Sequence, residues 1–205
     1  ILGPVPNVSG NHASAFVTPN SEYSMMASRF SIPIPKGTVA DIKNYATEYK
    51  GVVTGIKIDP KSGEMSVGWQ IVLPPFDYDL GDAGKVASDG WMFFTSYNTE
   101  RATGALEKTS TQRDRDYIAA IDWRLAEKSA AEGKGKLIGG IKVLDPKEIP
   151  GLVYFMPCGK SPHGVDVAPD GKWIIGSGKL QGVTTVFNFE KIQTAIRNKD
   201  FTGEE

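Results

Sequence analysis

The chain has 205 residues, of which 40% are hydrophobic, so it can bury a core, and its charge content is that of a globular rather than a disordered protein. Its 23 basic and 24 acidic residues are scattered and give a formal net charge of -1, which argues against a nucleic-acid partner. No apolar run approaches the roughly 20 residues needed to cross a bilayer, so no membrane span is predicted.

Four segments have the pattern of a strand, a polar turn and a second strand. They are residues 13–26, 52–65, 86–96 and 165–175. In the last segment, Pro169 fixes a backbone angle and Gly171 can take a positive φ, which together favour a hairpin. Recurring hairpins are typical of a β-propeller, whose blades are antiparallel sheets of about four strands, although a sandwich is also compatible with them.

The length predicts how much of a propeller is present. At roughly 40–50 residues per blade, the chain would supply about three to four blades, which is too few to close a ring of the common sizes. We therefore expect an all-β fold, namely an open, partial propeller with short helical insertions. Its uncovered faces and strand edges would make it poorly stable by itself. The chain begins at Ile1 and ends at Glu205 without a closing element, and we expect it to be an internal part of a longer protein.

Two stretches interrupt the strand pattern and are predicted to be surface helices. They are residues 39–49 and 117–132; in the second, Ile118, Ile121 and Leu125 fall near one helical face. A charged, glycine-rich connector then leads to a strand predicted over residues 137–143.

The two histidines of the chain, His12 and His163, occupy equivalent places in the repeat. Each opens a hairpin segment six or seven residues before a proline, and an aromatic residue follows that proline by four. Strands near the axis of a propeller begin at one mouth of its channel, so histidines there can converge. Imidazole binds copper, iron or zinc, but two nitrogens leave such a metal under-coordinated. The alternative is that both histidines are structural hydrogen-bonding residues.

Cys158 is the single cysteine, so neither a disulfide framework nor a thiolate-rich metal site can be built from this chain. We expect its side chain to be a small, half-buried filler beside Pro157 and Gly159.

The sequence around His163 resembles nitrous oxide reductases. The resemblance rests on residues 156–172 and 177–186, and on residues 11–13, 16–23 and 94–100, which follow in the same order. It covers nearly the whole chain. The run Gly-Lys-Ser-Pro-His-Gly at 159–164 is more similar to the Sec-dependent, atypical branch of the family.

The resemblance implies a fold and a cofactor. Members of the family have a seven-bladed propeller that holds CuZ, a four-copper, sulfide-bridged cluster bound by seven histidines, and a C-terminal cupredoxin domain that holds CuA. His12 and His163 match two CuZ ligands and would be its catalytic and copper-binding residues here. Residues 1–205 would then be a fragment of the propeller domain, with the cupredoxin domain and five CuZ ligands outside it.

The resemblance also implies a reaction, the two-electron reduction of nitrous oxide to dinitrogen and water, which is the last step of denitrification. Electrons would come from a periplasmic donor such as cytochrome c through CuA, in a head-to-tail homodimer. The implied location is the periplasm.

Two further sets of residues follow from the resemblance. A metal-bound imidazole usually donates its second N–H to a carboxylate or a carbonyl. The family has such an aspartate before its Ser-Tyr-Asn segment, and Asp77, Asp79 and Asp82 are equal candidates for it.

A calcium site is implied as well, with Tyr97, Glu100 and Asp116 as oxygen ligands. The chain departs from the better-known branch at Ser161, where that branch has an asparagine ligand.

Two other functions stay open on the residues alone. A propeller can be a generic binding scaffold, because a fold does not determine function. A calcium-dependent propeller hydrolase, such as a lactone hydrolase, would need acidic and amide side chains around a divalent ion, and the Ser-Tyr-Asn-Thr-Glu run at 96–100 is the feature that would suit it.

Overall fold

A computed structural model describes residues 3–11, 16–97 and 116–201. The first sheet is built mainly from the first third of the chain. Its strands are β1 (Phe16–Val17), β2 (Tyr23–Ala27), β3 (Ile32–Pro33), β4 (Tyr49–Ile58), β5 (Met65–Leu73), β9 (Lys136–Ile138) and β10 (Ile141–Leu144). Their order is β1-β2-β4-β5-β10-β9, with β3 paired to β4. All pairs are antiparallel except β10 with β5.

The second and third sheets follow along the chain. The second contains β6 (Asp77–Ala83), β7 (Trp91–Tyr97), β8 (Asp116–Asp122) and β11 (Val153–Cys158), in the order β11-β8-β7-β6. The third contains β12 (Val165–Val167), β13 (Trp173–Gly178) and β14 (Val183–Asn188), in that order. Every pair in both sheets is antiparallel.

Short helices lie between and after the strands. They are the 3₁₀ turns Ile42–Asn44 and Val86–Ser88, and the α-helices α1 (Tyr45–Glu48), α2 (Trp123–Ala131) and α3 (Phe189–Asn198). In the part of the chain that the structure describes, no helix is long and apolar enough to cross a membrane.

The three sheets pack face to face as successive blades. Sheets one and two share a buried cluster that includes Tyr23, Trp69 and Phe94, and sheets two and three share a second cluster that includes Ile118 and Ile174. The first strand of the second sheet, β6, contacts the first strands of both neighbours, β1 and β12. This arrangement is a partial β-propeller, so the predicted all-β propeller fold is confirmed.

Three of the four predicted hairpins are present, as β1–β2, β4–β5 and β12–β13. The prediction for residues 86–96 was wrong in its first half, because Val86–Ser88 is a 3₁₀ turn and β7 pairs instead with β6. The Ser88 side chain accepts a hydrogen bond from the Lys85 backbone N–H (3.1 Å), which closes that turn.

The helix predicted over residues 117–132 was also half wrong, because residues 116–122 form β8 and the helix begins only at Trp123. β8 lies between β7 and β11, and Ile118 to Ile121 are fully buried. A central strand buried on both faces has a continuous apolar run that resembles a helix core. Asp122 then starts the helix by accepting a hydrogen bond from the Leu125 N–H (2.8 Å).

Two smaller differences concern flanking segments. The strand predicted over 137–143 is a hairpin of β9 and β10, which turns at Gly139 and Gly140, both at positive φ. The helix predicted over 39–49 is confirmed only for its centre, where the 3₁₀ turn runs into α1.

Candidate functional site

His163 lies in the loop that leads from the second sheet into the third, two residues before β12. The loop is held by the third sheet. The Ser177 N–H donates to the Gly164 carbonyl (3.0 Å), and the Gly164 N–H donates to the Ser177 hydroxyl (2.9 Å). The imidazole itself is 48% exposed. His163 therefore combines a fixed backbone with an accessible ring, as a metal ligand requires.

The Asp79 carboxylate lies behind this imidazole. Its Oδ2 is 3.7 Å from His163 Nε2, and the Asp79 side chain is fully buried. The distance exceeds that of a direct hydrogen bond, so the interaction in this geometry is electrostatic. A buried carboxylate at this place can restrain the orientation of the ring in front of it.

The other two candidate aspartates have different partners. Asp77 Oδ2 lies 2.9 Å from Arg29 Nη1, with both side chains largely buried. Asp82 Oδ2 accepts hydrogen bonds from Lys85 Nζ (2.6 Å) and the Val167 N–H (2.9 Å). Of the three aspartates that the sequence left equal, Asp79 is the one that faces the histidine.

A β-bulge brings Asp79 to this place. The pairing of β6 with β7 shifts register between Tyr78 and Gly81, so Asp79 and Leu80 together lie opposite Thr95. Bulges bend a strand locally and commonly re-aim a side chain beside a functional site. Gly81, an isolated glycine inside β6 at the end of this register shift, is the signal in the sequence that could have indicated the bulge.

His12 lies outside the described residues, but the backbone just before it is anchored. The Arg29 N–H donates to the Gly10 carbonyl (2.8 Å), and the Arg29 guanidinium pairs with Asp77 of β6. The segment that leads to His12 is thus tied to the strand that carries Asp79. Arg29 is not among the residues predicted from the sequence. Its signal there is that it is the one charged residue in the apolar and small-residue run at 25–35.

The strands that follow the two histidines along the chain both lie beside β6. His12 precedes β1 and His163 precedes β12 in the chain, and both strands contact β6. The position of the His12 ring itself, and therefore its distance from His163, stays a prediction.

Asp116 and Ser161 lie together at the end of the second sheet. Asp116 begins β8 and its Oδ2 accepts a hydrogen bond from the Ser161 N–H (2.7 Å). Ser161 is completely buried, and its hydroxyl oxygen has no hydrogen-bond partner among the described residues. A hard cation beside the Asp116 carboxylate would satisfy this oxygen, so the two residues fit a calcium site.

The backbone at Ser161 would suit the asparagine of the better-known branch, so it does not explain why this chain has serine there. Ser161 has φ of 54°, in the left-handed region that asparagine adopts more readily than serine. Of the other calcium candidates, Tyr97 ends β7 opposite Asp77, while its side chain and the whole of Glu100 lie outside the described residues.

Cys158 pairs with Asp116 across β8 and β11. Burial, and secondarily the Asp116 charge, raise the pKa of its thiol to about 12. The thiol therefore stays protonated at neutral pH, and its half-buried position agrees with the expected filler role.

The described residues do not form a complete metal site by themselves. No group of three or more histidine, cysteine, aspartate or glutamate side chains in the ranges 3–11, 16–97 and 116–201 could hold a metal ion. A site at His163 would need ligands from elsewhere, as the two-histidine pattern already indicated.

The relatives of the chain are nitrous-oxide reductases. That of Cupriavidus necator is 30% identical over 178 residues, which are 80% of this chain and 25% of the relative. That of Stutzerimonas stutzeri is 27% identical over 207 residues, or 95% of this chain and 30% of the relative. That of Ralstonia nicotianae is 29% identical over 211 residues, which are 92% of this chain and 30% of the relative. The chain thus spans between a quarter and a third of the length of these curated relatives.

No protein-family model matches the chain. Among solved structures, hydrazine synthase of Kuenenia stuttgartiensis superposes with a TM-score of 0.51 at 14% identity, covering 88% of this chain and 41% of that chain. At this identity the likeness concerns the fold alone.

Proposed function

The chain is related in sequence to a segment of nitrous-oxide reductases, and from this premise we propose that it forms part of a propeller that binds the CuZ cluster and reduces nitrous oxide. The reaction would be N₂O + 2 H⁺ + 2 e⁻ → N₂ + H₂O, with electrons supplied by a periplasmic donor such as cytochrome c. The CuA domain and the second subunit of a homodimer would complete the enzyme in the periplasm.

The observation that supports the proposal most strongly is the accessible His163 imidazole in front of the buried Asp79 carboxylate. When bound, the copper cluster supplies electrons and the Lewis-acidic site for nitrous oxide. His163 would be a copper ligand, and the Asp79 carboxylate behind the imidazole would help to hold the ring in one orientation.

The residues around His12 and His163 would place the two imidazoles. The Arg29–Asp77 ion pair holds the segment that leads to His12 against β6. Asp79, two residues further along β6, faces His163. One strand, β6, would therefore support both proposed copper ligands.

We propose calcium as a second, structural cofactor. Asp116 and the Ser161 hydroxyl would bind it, together with Tyr97 and Glu100. Because Ser161 lies two residues before His163, an ion there would stiffen the loop that presents the imidazole.

The test uses the longest polypeptide that contains this sequence, produced with copper and calcium. We expect His163→Gln to lose cluster copper and nitrous oxide consumption with a reduced dye. Asp79→Asn should weaken copper retention by about 10- to 100-fold, the usual effect of losing a carboxylate behind a metal-bound histidine. Asp166→Asn is the matched control, because Asp166 is an exposed aspartate three residues after His163, and it should leave both readings unchanged.

Metal analysis separates the alternatives. A wild-type protein without copper, or a His163→Gln variant as rich in copper as wild type, would contradict the proposal. Calcium without copper would instead favour the calcium-dependent hydrolase.

A further inference from the structure

Thr95 of β7 is fully buried between β6 and the loop that carries His163. Its hydroxyl donates to the Leu80 carbonyl (3.1 Å) and lies 3.4 Å from the His163 carbonyl. One side chain thus contacts the backbone of both segments that bring Asp79 and His163 together.

The position of Thr95 opposite the bulge explains why a hydroxyl is needed there. Two residues, Asp79 and Leu80, oppose Thr95 alone, and a bulge interrupts the regular ladder of backbone hydrogen bonds. The Thr95 hydroxyl donates to a carbonyl inside this interruption. Leu80 adjoins Asp79, so the same hydrogen bond restrains the backbone that aims the carboxylate.

We propose that Thr95 is a positioning residue for His163. Its hydroxyl links the bulge in β6 to the His163 backbone, and this link sets the imidazole against the Asp79 carboxylate. The effect of this link on copper binding rests on the proposed function. The link between the two backbone segments does not depend on that function.

Three substitutions separate a positioning role from a merely structural one. Thr95→Val keeps the shape of the side chain but removes the donor, and Thr95→Ser keeps the donor. Ser96→Ala is the matched control, because Ser96 is a buried residue of the same strand whose hydroxyl donates to the Tyr117 carbonyl (3.1 Å), away from His163.

The first measurement is made on the whole 205-residue chain, without metal and at one fixed pH. The chain has only two histidines, so an NMR spectrum of ¹⁵N-labelled imidazoles contains two sets of ring signals, and His163→Gln assigns them. We expect Thr95→Val to shift the His163 signals and speed exchange of its ring N–H, while Thr95→Ser and Ser96→Ala resemble wild type.

Two results would overturn the proposal: unchanged His163 signals in Thr95→Val, or equal shifts in Thr95→Val and Ser96→Ala. If Thr95→Val does not fold, Thr95→Ser decides, because the proposal requires wild-type His163 signals in that variant and displaced signals would refute it.

The second measurement uses Cu²⁺ alone and a His12→Gln background, in which His163 is the remaining imidazole. We expect Thr95→Val to weaken binding at His163 about tenfold, as loss of a residue that orients a ligand does, and Thr95→Ser to stay within about twofold of the parent. If the metal-free spectra follow the expected pattern but the longer polypeptide described above retains no copper, the copper function fails and the positioning role stands. If copper binds but the spectra do not follow the pattern, the positioning role fails alone.

Discussion

At the scale of single residues, buried carboxylates have quite different partners in this protein. Asp77 pairs with a guanidinium, Asp79 faces an imidazole, and Asp116 accepts a backbone hydrogen bond. A buried charge is costly unless it is compensated, so these partners are part of the reason for each position. The carboxylates differ in function because their neighbours differ, although the residue type is the same.

The Cys158 thiol should react slowly in the folded chain. Burial and the Asp116 charge raise its pKa from 9.0 to about 12, and only the thiolate is a good nucleophile. We expect alkylation by iodoacetamide at pH 8 to be at least about a hundredfold slower in the folded chain than in urea-unfolded chain. Equal alkylation rates in the two states would show that the thiol is not buried and that its pKa is not raised.

The same shift in the pKa of Cys158 makes stability depend on pH. Above the unfolded pKa the unfolded thiol loses its proton while the folded thiol keeps it, so the folded state binds more protons. The contribution of the Cys158 thiol to the free energy of unfolding is therefore complete below pH 9 and decreases as the pH rises towards about 12.

At the scale of elements, the second and third sheets meet at a close backbone junction. The turn at 85–88 lies against the β12–β13 turn, where the Ala87 N–H donates to the Asp170 carbonyl (3.2 Å). A Cβ added at Gly171 would overlap the Lys85 carbonyl oxygen. The glycine of this hairpin is therefore needed for packing between sheets as well as for its φ of 72°.

We expect Gly171→Ala to destabilise the protein more than Gly63→Ala does. Both glycines have a φ close to 70°, at 72° and 71°, but a Cβ at Gly63 would meet nothing within 4 Å. Gly63→Ala should cost about 1–2 kcal/mol, the penalty of a left-handed alanine. Gly171→Ala adds the overlap with Lys85 and should exceed that loss by about 2 kcal/mol or more. Urea denaturation measures both, and equal losses would show that the junction has room to relax.

At the scale of the whole molecule, the third sheet is covered on one face. Ile174 is buried against the second sheet, while Trp173, Ile175 and Val186 on the other face are 42%, 38% and 54% exposed. Ile175 and Val186 are cross-strand partners, so their side chains form one apolar surface. Contiguous apolar surface of this kind promotes association.

Replacing that surface should make the isolated chain more soluble. We expect the double variant Ile175→Thr, Val186→Lys to bind less of a hydrophobic fluorescent dye and to self-associate less in sedimentation. Val39→Lys is the control, because Val39 is 97% exposed on a separate surface segment, and it should change neither reading. A double variant with undiminished dye binding would mean that another surface is responsible.

The sequence alone determined the features that depend on neighbouring residues. The turn at 169–172 contains the proline and the positive-φ glycine that a hairpin needs, and the hairpin is present. The motif around His163 likewise indicated the right relatives. Prediction from the sequence was wrong at residues 117–122, because a strand buried on both faces and a buried helix have the same apolar composition over so short a run.

Only the tertiary structure decided which distant residues meet. Thr95 and His163 are 68 residues apart in the chain, and three nearby aspartates offered equivalent chemistry for the histidine. A bulge in β6 and the packing of the third sheet on the second selected Asp79. Local patterns specify turns and strand periodicity, whereas contacts between sheets depend on register and on how whole faces pack, and neither property is contained in any single segment of the chain.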